Sequence, residues 1–216
     1  MAAKSFVVFG LGKFGYSVAT SLNANGCDVL AVDIDGDRVA DIANDVTYAV
    51  KANVTDPEVF KSLGLGNMDG AVVAVSDHME ASVMATILAK EAGIPYVLAK
   101  ANTKIHATVL AKVGADDIIF PEKEMGSRVA RNMVFGKFMD TFELSSTYSM
   151  VEMQVPSEWV GKSLRELNVR NKYGVNVIAL KEGENINANV DPDEPMRANQ
   201  VLLTVGNNDK LQKIKN

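Results

Sequence analysis

The sequence predicts an α/β fold, a doubly wound parallel sheet followed by a smaller α+β lobe, and three observations carry the prediction. The apolar run at 6–9 leads directly into Gly10-Leu11-Gly12-Lys13-Phe14-Gly15. Strand-sized apolar segments then alternate with amphipathic helical segments as far as residue 120. From about residue 148 the pattern changes to short alternating strands with little helix. Regular strand–helix alternation demands a parallel sheet with helices on both faces, and the change of pattern marks a second lobe.

After the strand at 6–9, the first helix carries Phe14, Val18 and Leu22 at i, i+4 and i+8, a single apolar stripe. A strand at 29–32 ends at Asp33, and a polar helix over 35–43, a strand at 47–50 and a short helix over 57–63 complete a βαβαβ half. The second half has a strand at 71–75, then a helix at 79–92 with Val83, Met84, Ile87 and Leu88 on one face. A strand at 96–99, a helix at 103–112 and a strand at 118–120 follow. Strands connected in this way take the order 3-2-1-4-5-6, a Rossmann-like arrangement.

Residues 122–139 read as a helix with two stripes, Met125, Val129 and Met133 on one and Val134 and Phe138 on the other. Such a helix either packs internally or crosses over to dock on a second subunit, a use that suits adaptable Met and Phe side chains. No strong periodicity marks 136–147. The expected domains are therefore 1–135, a linker at 136–147, and 148–216. In the last of these, strands at 150–155, 175–180 and 201–205, a short helix around 162–167, a polar Gly183-Glu184-Asn185 turn and a helix from 208 give three or four strands. This lobe has no glycine-rich loop, metal-spaced His or Cys set, or nucleophile motif, so assembly or sensing suits it better than catalysis.

Composition narrows the function classes. A net charge of −5 argues against a nucleic-acid polymer as partner, which would require a concentrated basic surface. No apolar run approaches a membrane span, and the chain enters its first strand with no secretory leader pattern. Cys27 is the single cysteine and has no internal partner, so a reduced, cytoplasmic protein is expected.

The glycine motif carries chemistry. Gly10 permits a tight turn, Gly12 lets backbone approach phosphate, and Gly15 lets the helix pack closely on the strand. The helix then presents unpaired N–H groups and the positive end of its dipole to an anion. Asp33 is placed to accept from ribose hydroxyls and to repel a 2′-phosphate, with capping of the next helix as the plainer role. In a doubly wound sheet the ligand lies beyond the strand carboxyl ends, so the remaining candidates are the residues just after each strand. These are Lys13 and Phe14 in the glycine loop, Ile34 and Asp35, Asn53 and Val54, Val75, Ser76 and Asp77, Lys100, Ala101 and Asn102, and Glu122. Lys13 either reaches a terminal phosphate or stays solvated. His106, in the first turns of its helix, either donates to phosphate or ribose or lies on the surface. Glu122 either aims at the site mouth or compensates a helix dipole.

These residues together resemble the regulatory subunits of bacterial potassium uptake systems, the KtrA and TrkA type built from RCK domains. The matching segments are Val8 to Gly15, Ala31-Val32-Asp33, Lys51-Ala52-Asn53, Gly114 to Lys123 and Leu167 to Gly174. The resemblance covers nearly the whole chain. It implies ATP or ADP in the large lobe, with NAD(H) in some relatives, held at Lys13, Asp33, Asn53, Val75, Lys100, His106 and Glu122. It implies a divalent cation shared at a subunit interface through Glu122. A helix after strand six makes a homodimer, and dimers form a larger ring, expected to be an octamer, on the inner face of the membrane beneath a potassium-translocating subunit. The second lobe is implied to bind cyclic di-AMP in some members, with Leu164, Asn168, Arg170 and Tyr173 as positional candidates. The loop cation is lysine here and arginine in many KtrA-type relatives, a point charge in place of a planar fork.

Two other readings compete. A small NAD-dependent oxidoreductase would use Asp33 for ribose and a histidine for proton transfer, although only His78 and His106 are present. A redox-sensing repressor would need a DNA-binding helix-turn-helix before residue 6 and a basic surface, and neither is expected.

Overall fold

The computed structural model describes residues 3–135 and 138–214. The chain divides into two compact units, Met1–Glu122 and Lys123–Asn216.

In the first unit, strands β1 (Ser5–Phe9), β2 (Asp28–Asp33), β3 (Tyr48–Lys51), β4 (Gly70–Val73), β5 (Val97–Lys100) and β6 (Asp117–Ile119) form one parallel sheet in the order β3-β2-β1-β4-β5-β6. This is the expected doubly wound topology. The central strands are apolar on both faces because helices cover both. Val8, Val29 and Ala31 face one layer with Ala19 of α1 (Lys13–Ala24) and Ile42 of α2 (Gly36–Ile42). Val7, Phe9, Leu30 and Val32 face the other, with Phe60 of α3 (Pro57–Ser62), Ala85 and Ala89 of α4 (Met79–Glu91) and Leu110 of α5 (Lys104–Lys112). β4 stops at Val73, two residues earlier than expected, so Ala74 to Asp77 are free to form a loop.

Glycine sets the β1–α1 join. Gly10 has φ +92°, and a β-carbon there would crowd the Val75 backbone nitrogen at 2.9 Å. A β-carbon on Gly15 would overlap the Gly10 carbonyl oxygen, so α1 can cross β1 this closely only without one.

His106 belongs to this core. It is 2% exposed, and its Nε2 lies 2.6 Å from Oγ of the fully buried Ser82, joining α5 to α4. Burial holds its imidazole below the ordinary value.

Three expectations for the rest of the chain need correction. The helix α6 (Pro121–Phe135) ends before Met139, and the segment expected to be linker contributes the strand β7 (Phe138–Glu143). Met125, Val129 and Met133 are exposed as one stripe, whereas the side chains of Val134 and Phe138 lie outside the described residues. The second sheet has five strands rather than three or four. β7, β8 (Tyr148–Gln154), β9 (Val175–Glu182), β10 (Asn185–Asn187) and β11 (Val201–Asn207) pair antiparallel in the order β10-β9-β11-β8-β7. The polar Gly183 turn closes a hairpin whose return strand, three residues with Ile186 as the one apolar side chain, is too short to be recognised by alternation. The helix expected near 162–167 is instead turn, flanked by a 3₁₀ turn at Ser157–Trp159 and by α7 (Val169–Tyr173). The last helix among the described residues is α8 (Asn208–Leu211). The core under this sheet contains Met153, Trp159, Met196, Leu202 and Ile214.

Two stability predictions follow from this packing. Gly15→Ala is expected to lower unfolding free energy by about 1–3 kcal/mol through overpacking. Gly66→Ala, whose β-carbon would meet its nearest neighbour only at 3.9 Å, is expected to be tolerated; urea melts of the two variants decide. For His106, the unfolded state binds the proton more tightly than the folded state. Stability is therefore full above the ordinary imidazole pKa of about 6.5 and falls as pH drops through it. Urea midpoints at pH 7.5 and 5.5 should show this loss, and His106→Gln should reduce it.

Candidate functional site

At the carboxyl ends of the parallel strands lies a cavity of about 750 Å³. The glycine loop supplies Gly10, Gly12, Lys13, Phe14 and Gly15 to its wall, and the end of β2 supplies Asp33, Ile34 and Asp35. Asn53 and Val54 enter after β3, Val75, Ser76 and Asp77 after β4, Lys100 from β5 and Glu122 from the first turn of α6.

The amino ends of α1 and α4 lack the side-chain cap that α2, α3 and α5 have, and α4, which starts on His78, has Glu80 in its first turn. Asp35 caps α2, Asp56 caps α3 and Thr103 caps α5, each through a side-chain oxygen. α1 is capped by Gly12, which has no side chain to offer, and its first turn contains no acid. A β-carbon at Gly12 would meet nothing within 4 Å, so the loop backbone faces open cavity. Twelve residues of helix thus direct unsatisfied N–H groups and a positive dipole end at a space large enough for a ligand. The donor set fits a phosphate.

Asp33 faces this anion site from the end of β2. It is 7% exposed; its Oδ2 accepts from Leu11 N–H at 2.6 Å and its Oδ1 from Asp35 N–H at 2.9 Å. The helix-capping role belongs to Asp35, which accepts from Asp37 N–H. A carboxylate has about four lone-pair directions, so two backbone bonds leave Asp33 able to accept from a diol as well.

Two of the three cations on the wall are paired. Arg38 reaches Asp33 at 3.7 Å and Asp35 at 3.5 Å. Lys100 Nζ donates to Glu122 Oε1 at 2.6 Å, and this bond is the main cause holding the Glu122 carboxyl below the usual range. Lys13 forms no ion pair with a described residue. Its charge stands beside a positive helix end, which is unfavourable until an anion arrives.

Three expected residues lie off the wall. Ala101 is 1% exposed in the core. Asn102 braces the wall from behind, its amide donating to the Ser76 carbonyl at 3.1 Å and to Asp77 Oδ1 at 3.2 Å. His106 is turned inward to Ser82 and is neither a surface residue nor a cavity residue, because the phase of α5 places it under α4. Conversely, Arg38, Thr55 and His78 line the cavity unforeseen. Arg38 had a usable signal, a cation five residues after the acid that ends the second strand. Glu122 faces the cavity, but no group of three or more His, Cys, Asp or Glu among the described residues forms a metal cage.

The second unit has its own groove of about 470 Å³, lined by Leu164, Asn168 and Arg170 among others. Asn168 holds a positive φ of 46°, and Arg170 Nε donates to Asn176 Oδ1 at 2.6 Å. Tyr173 is not on this wall and packs on Trp159 with ring centroids 4.9 Å apart.

The chain matches the TrkA-N domain over residues 6–121 and the TrkA-C domain over 149–216. It is 40% identical to Ktr system potassium uptake protein A of Vibrio alginolyticus, covering 96% of this chain and 94% of that one. It is 38% identical to Ktr system potassium uptake protein C of Bacillus subtilis, covering 94% and 92%. Among solved structures, the GsuK channel superposes with a TM-score of 0.66 at 14% identity over 97% of this chain, which spans 38% of the channel chain. The TrkA-N domain of inner membrane protein ybaL from Escherichia coli superposes at 0.52 and 16% identity, covering 62% and 96%. No helix among the described residues is long and apolar enough to cross a membrane. A glycine-loop cavity on a parallel sheet, TrkA-N and TrkA-C domains in sequence, and full-length relatives at this identity place the chain in the Ktr/Trk family of potassium uptake regulatory proteins.

Proposed function

We propose that this chain is the nucleotide-sensing subunit that gates a membrane-embedded potassium-translocating partner from the cytoplasmic face. The single observation that carries the reading is the uncapped α1 amino end, with Lys13 and Asp33 beside it, opening into one cavity. ATP or ADP fits this donor and acceptor pattern: phosphates on the α1 N–H groups and Lys13, ribose hydroxyls on Asp33. NAD(H) is the second candidate, since it shares the adenosine diphosphate portion. A divalent cation would bind at Glu122 together with phosphate oxygens rather than in a protein cage, as hard cations prefer oxygen ligands. Cyclic di-AMP is proposed for the groove around Leu164, Asn168 and Arg170. The exposed Met125, Val129 and Met133 stripe is proposed as the surface that makes a homodimer, and dimers assemble into a ring. The oxidoreductase alternative loses a proton-transfer candidate, since His106 is buried away from the cavity.

Gating requires only that the nucleotide bind two ring states unequally, because a ligand shifts a conformational equilibrium by its differential affinity. Calorimetric titration with ATP, ADP and NADH tests the site. Asp33→Ala should weaken adenine-nucleotide binding by about 1.5–3 kcal/mol, the range for hydrogen bonds to a charged group, and unchanged affinity would remove Asp33 from the site. Lys13→Ala should cost ATP more affinity than ADP; equal losses would mean that the lysine meets only the phosphates they share. Potassium flux into vesicles carrying the membrane subunit, with this protein and each nucleotide in turn, tests gating. Flux indifferent to the nucleotide overturns it.

A further inference from the structure

Lys100 and Glu122 form a 2.6 Å ion pair on the cavity wall, yet their surroundings differ sharply. The Lys100 side chain is 12% exposed and that of Glu122 is 70% exposed. Lys100 is therefore mostly shielded from water where it stands, and its ion-pair partner there is Glu122. Glu122, by contrast, is rehydrated at little cost if it loses Lys100.

The position of the pair along the chain gives it a second role. Lys100 ends β5 inside the first unit, and Glu122 is both the last residue of that unit and the second residue of α6. The second unit begins at Lys123, inside α6. The ion pair thus ties the first turn of α6 to the wall of the cavity.

We propose that ligand phosphate takes Lys100 from Glu122 and that this exchange loosens the first turn of α6, so that the pair reports an occupied cavity to the rest of the chain. The inference rests on reading the cavity as a nucleotide site. Removing one partner of a buried pair is costly because it strands a charge. Here no charge is stranded, since phosphate replaces the carboxylate on the partly buried lysine and water replaces the lysine on the exposed carboxylate. The exchange is close to neutral, which makes the pair displaceable. It also selects by phosphate: adenosine fills the ribose end and leaves the pair intact.

The test is a double-mutant cycle on the full chain, with ATP and adenosine titrated in the presence of EDTA. Glu122→Gln frees Lys100 in advance and should tighten ATP about three- to tenfold, as for a partly screened ion pair, without changing adenosine affinity. In a Lys100→Met background, which keeps the aliphatic stem, the same Glu122→Gln change should give no gain. A gain that persists there means that Glu122 merely repels phosphate and overturns the exchange. Hydrogen exchange supplies a readout independent of Lys100→Met. The amides of residues 125–128 bond to carbonyls 121–124 in a regular helix. In the wild-type chain they should exchange faster with ATP and not with adenosine, and in Glu122→Gln they should be fast without ligand. ATP that binds and leaves them unchanged overturns the loosening. If the wild-type chain binds neither ATP, ADP nor NADH, the reading of the cavity itself has failed, and that appears before any variant is made.

Discussion

The buried hydrogen bond from Leu11 N–H to the Asp33 carboxylate, 2.6 Å long, is the contact on which the site depends. It joins the glycine turn after β1 to the end of β2, which the sheet ladder alone does not do beyond Gly10 N–H to the Val32 carbonyl. The turn thereby acquires a fixed position, and with it the direction in which α1 leaves the sheet. The second oxygen of the same carboxylate holds Asp35 N–H, which in turn orients Asp35 to cap α2. One carboxylate thus positions the starts of two helices. Because the acceptor is ionised, each bond is stronger than a neutral one. Asp33 is accordingly a structural brace as well as a ribose-binding candidate, and its removal acts on both properties.

The distribution of charge around the cavity follows from this arrangement. α2, α3 and α5 each have a side chain that satisfies their first N–H groups, whereas α1 starts on a glycine with no acid in its first turn and α4 on His78 without a side-chain cap. An uncapped helix end costs stability, and α1 bears that cost at a place where a ligand can repay it. Arg38 is set against Asp33 and Asp35, and Lys100 against Glu122. Among the described residues, the unpaired positive features on this wall are therefore the α1 N–H groups with the adjacent Lys13, and the uncapped start of α4 at His78.

What the sequence made legible depended on backbone constraint. Gly10 and Gly15 were readable because a positive φ and a close helix–strand contact admit almost no other residue, and the strand order followed from the alternation of elements. The α6–β7 boundary was missed because Met133, Val134, Phe138 and Met139 suit a helix stripe or a strand face equally, and that continuous apolar pattern outweighed the one stop signal the sequence carries, Gly136 directly after Phe135. His106 was misplaced for a different reason. Residues in the first turn of a helix after a strand generally face the site, but whether a given one does depends on helix phase against a neighbour, here Ser82 of α4, 24 residues earlier. Arg38 escaped notice because its role is an ion pair across a turn, which exists only once Asp33 has been fixed. β10 escaped because it is only three residues long, Asn185-Ile186-Asn187, and a single apolar side chain is too little for an alternation to register.

The overall charge of −5 opposes a polyanionic ligand at long range, and the cavity resolves the conflict by range. Asp33, Asp35, Asp77 and Glu122 share its wall with Lys13, Arg38 and Lys100, so at a distance the wall offers a polyphosphate little attraction. Screening at physiological salt extinguishes exposed-charge fields within about 8 Å, which removes the repulsion from the outer surface before contact. Recognition then rests on short-range terms: aligned N–H groups, one adjacent lysine and a diol acceptor bonded to the glycine turn. Such a site discriminates by where phosphates sit rather than by how many charges the ligand carries. That is the property required to tell two nucleotides apart by their last phosphate.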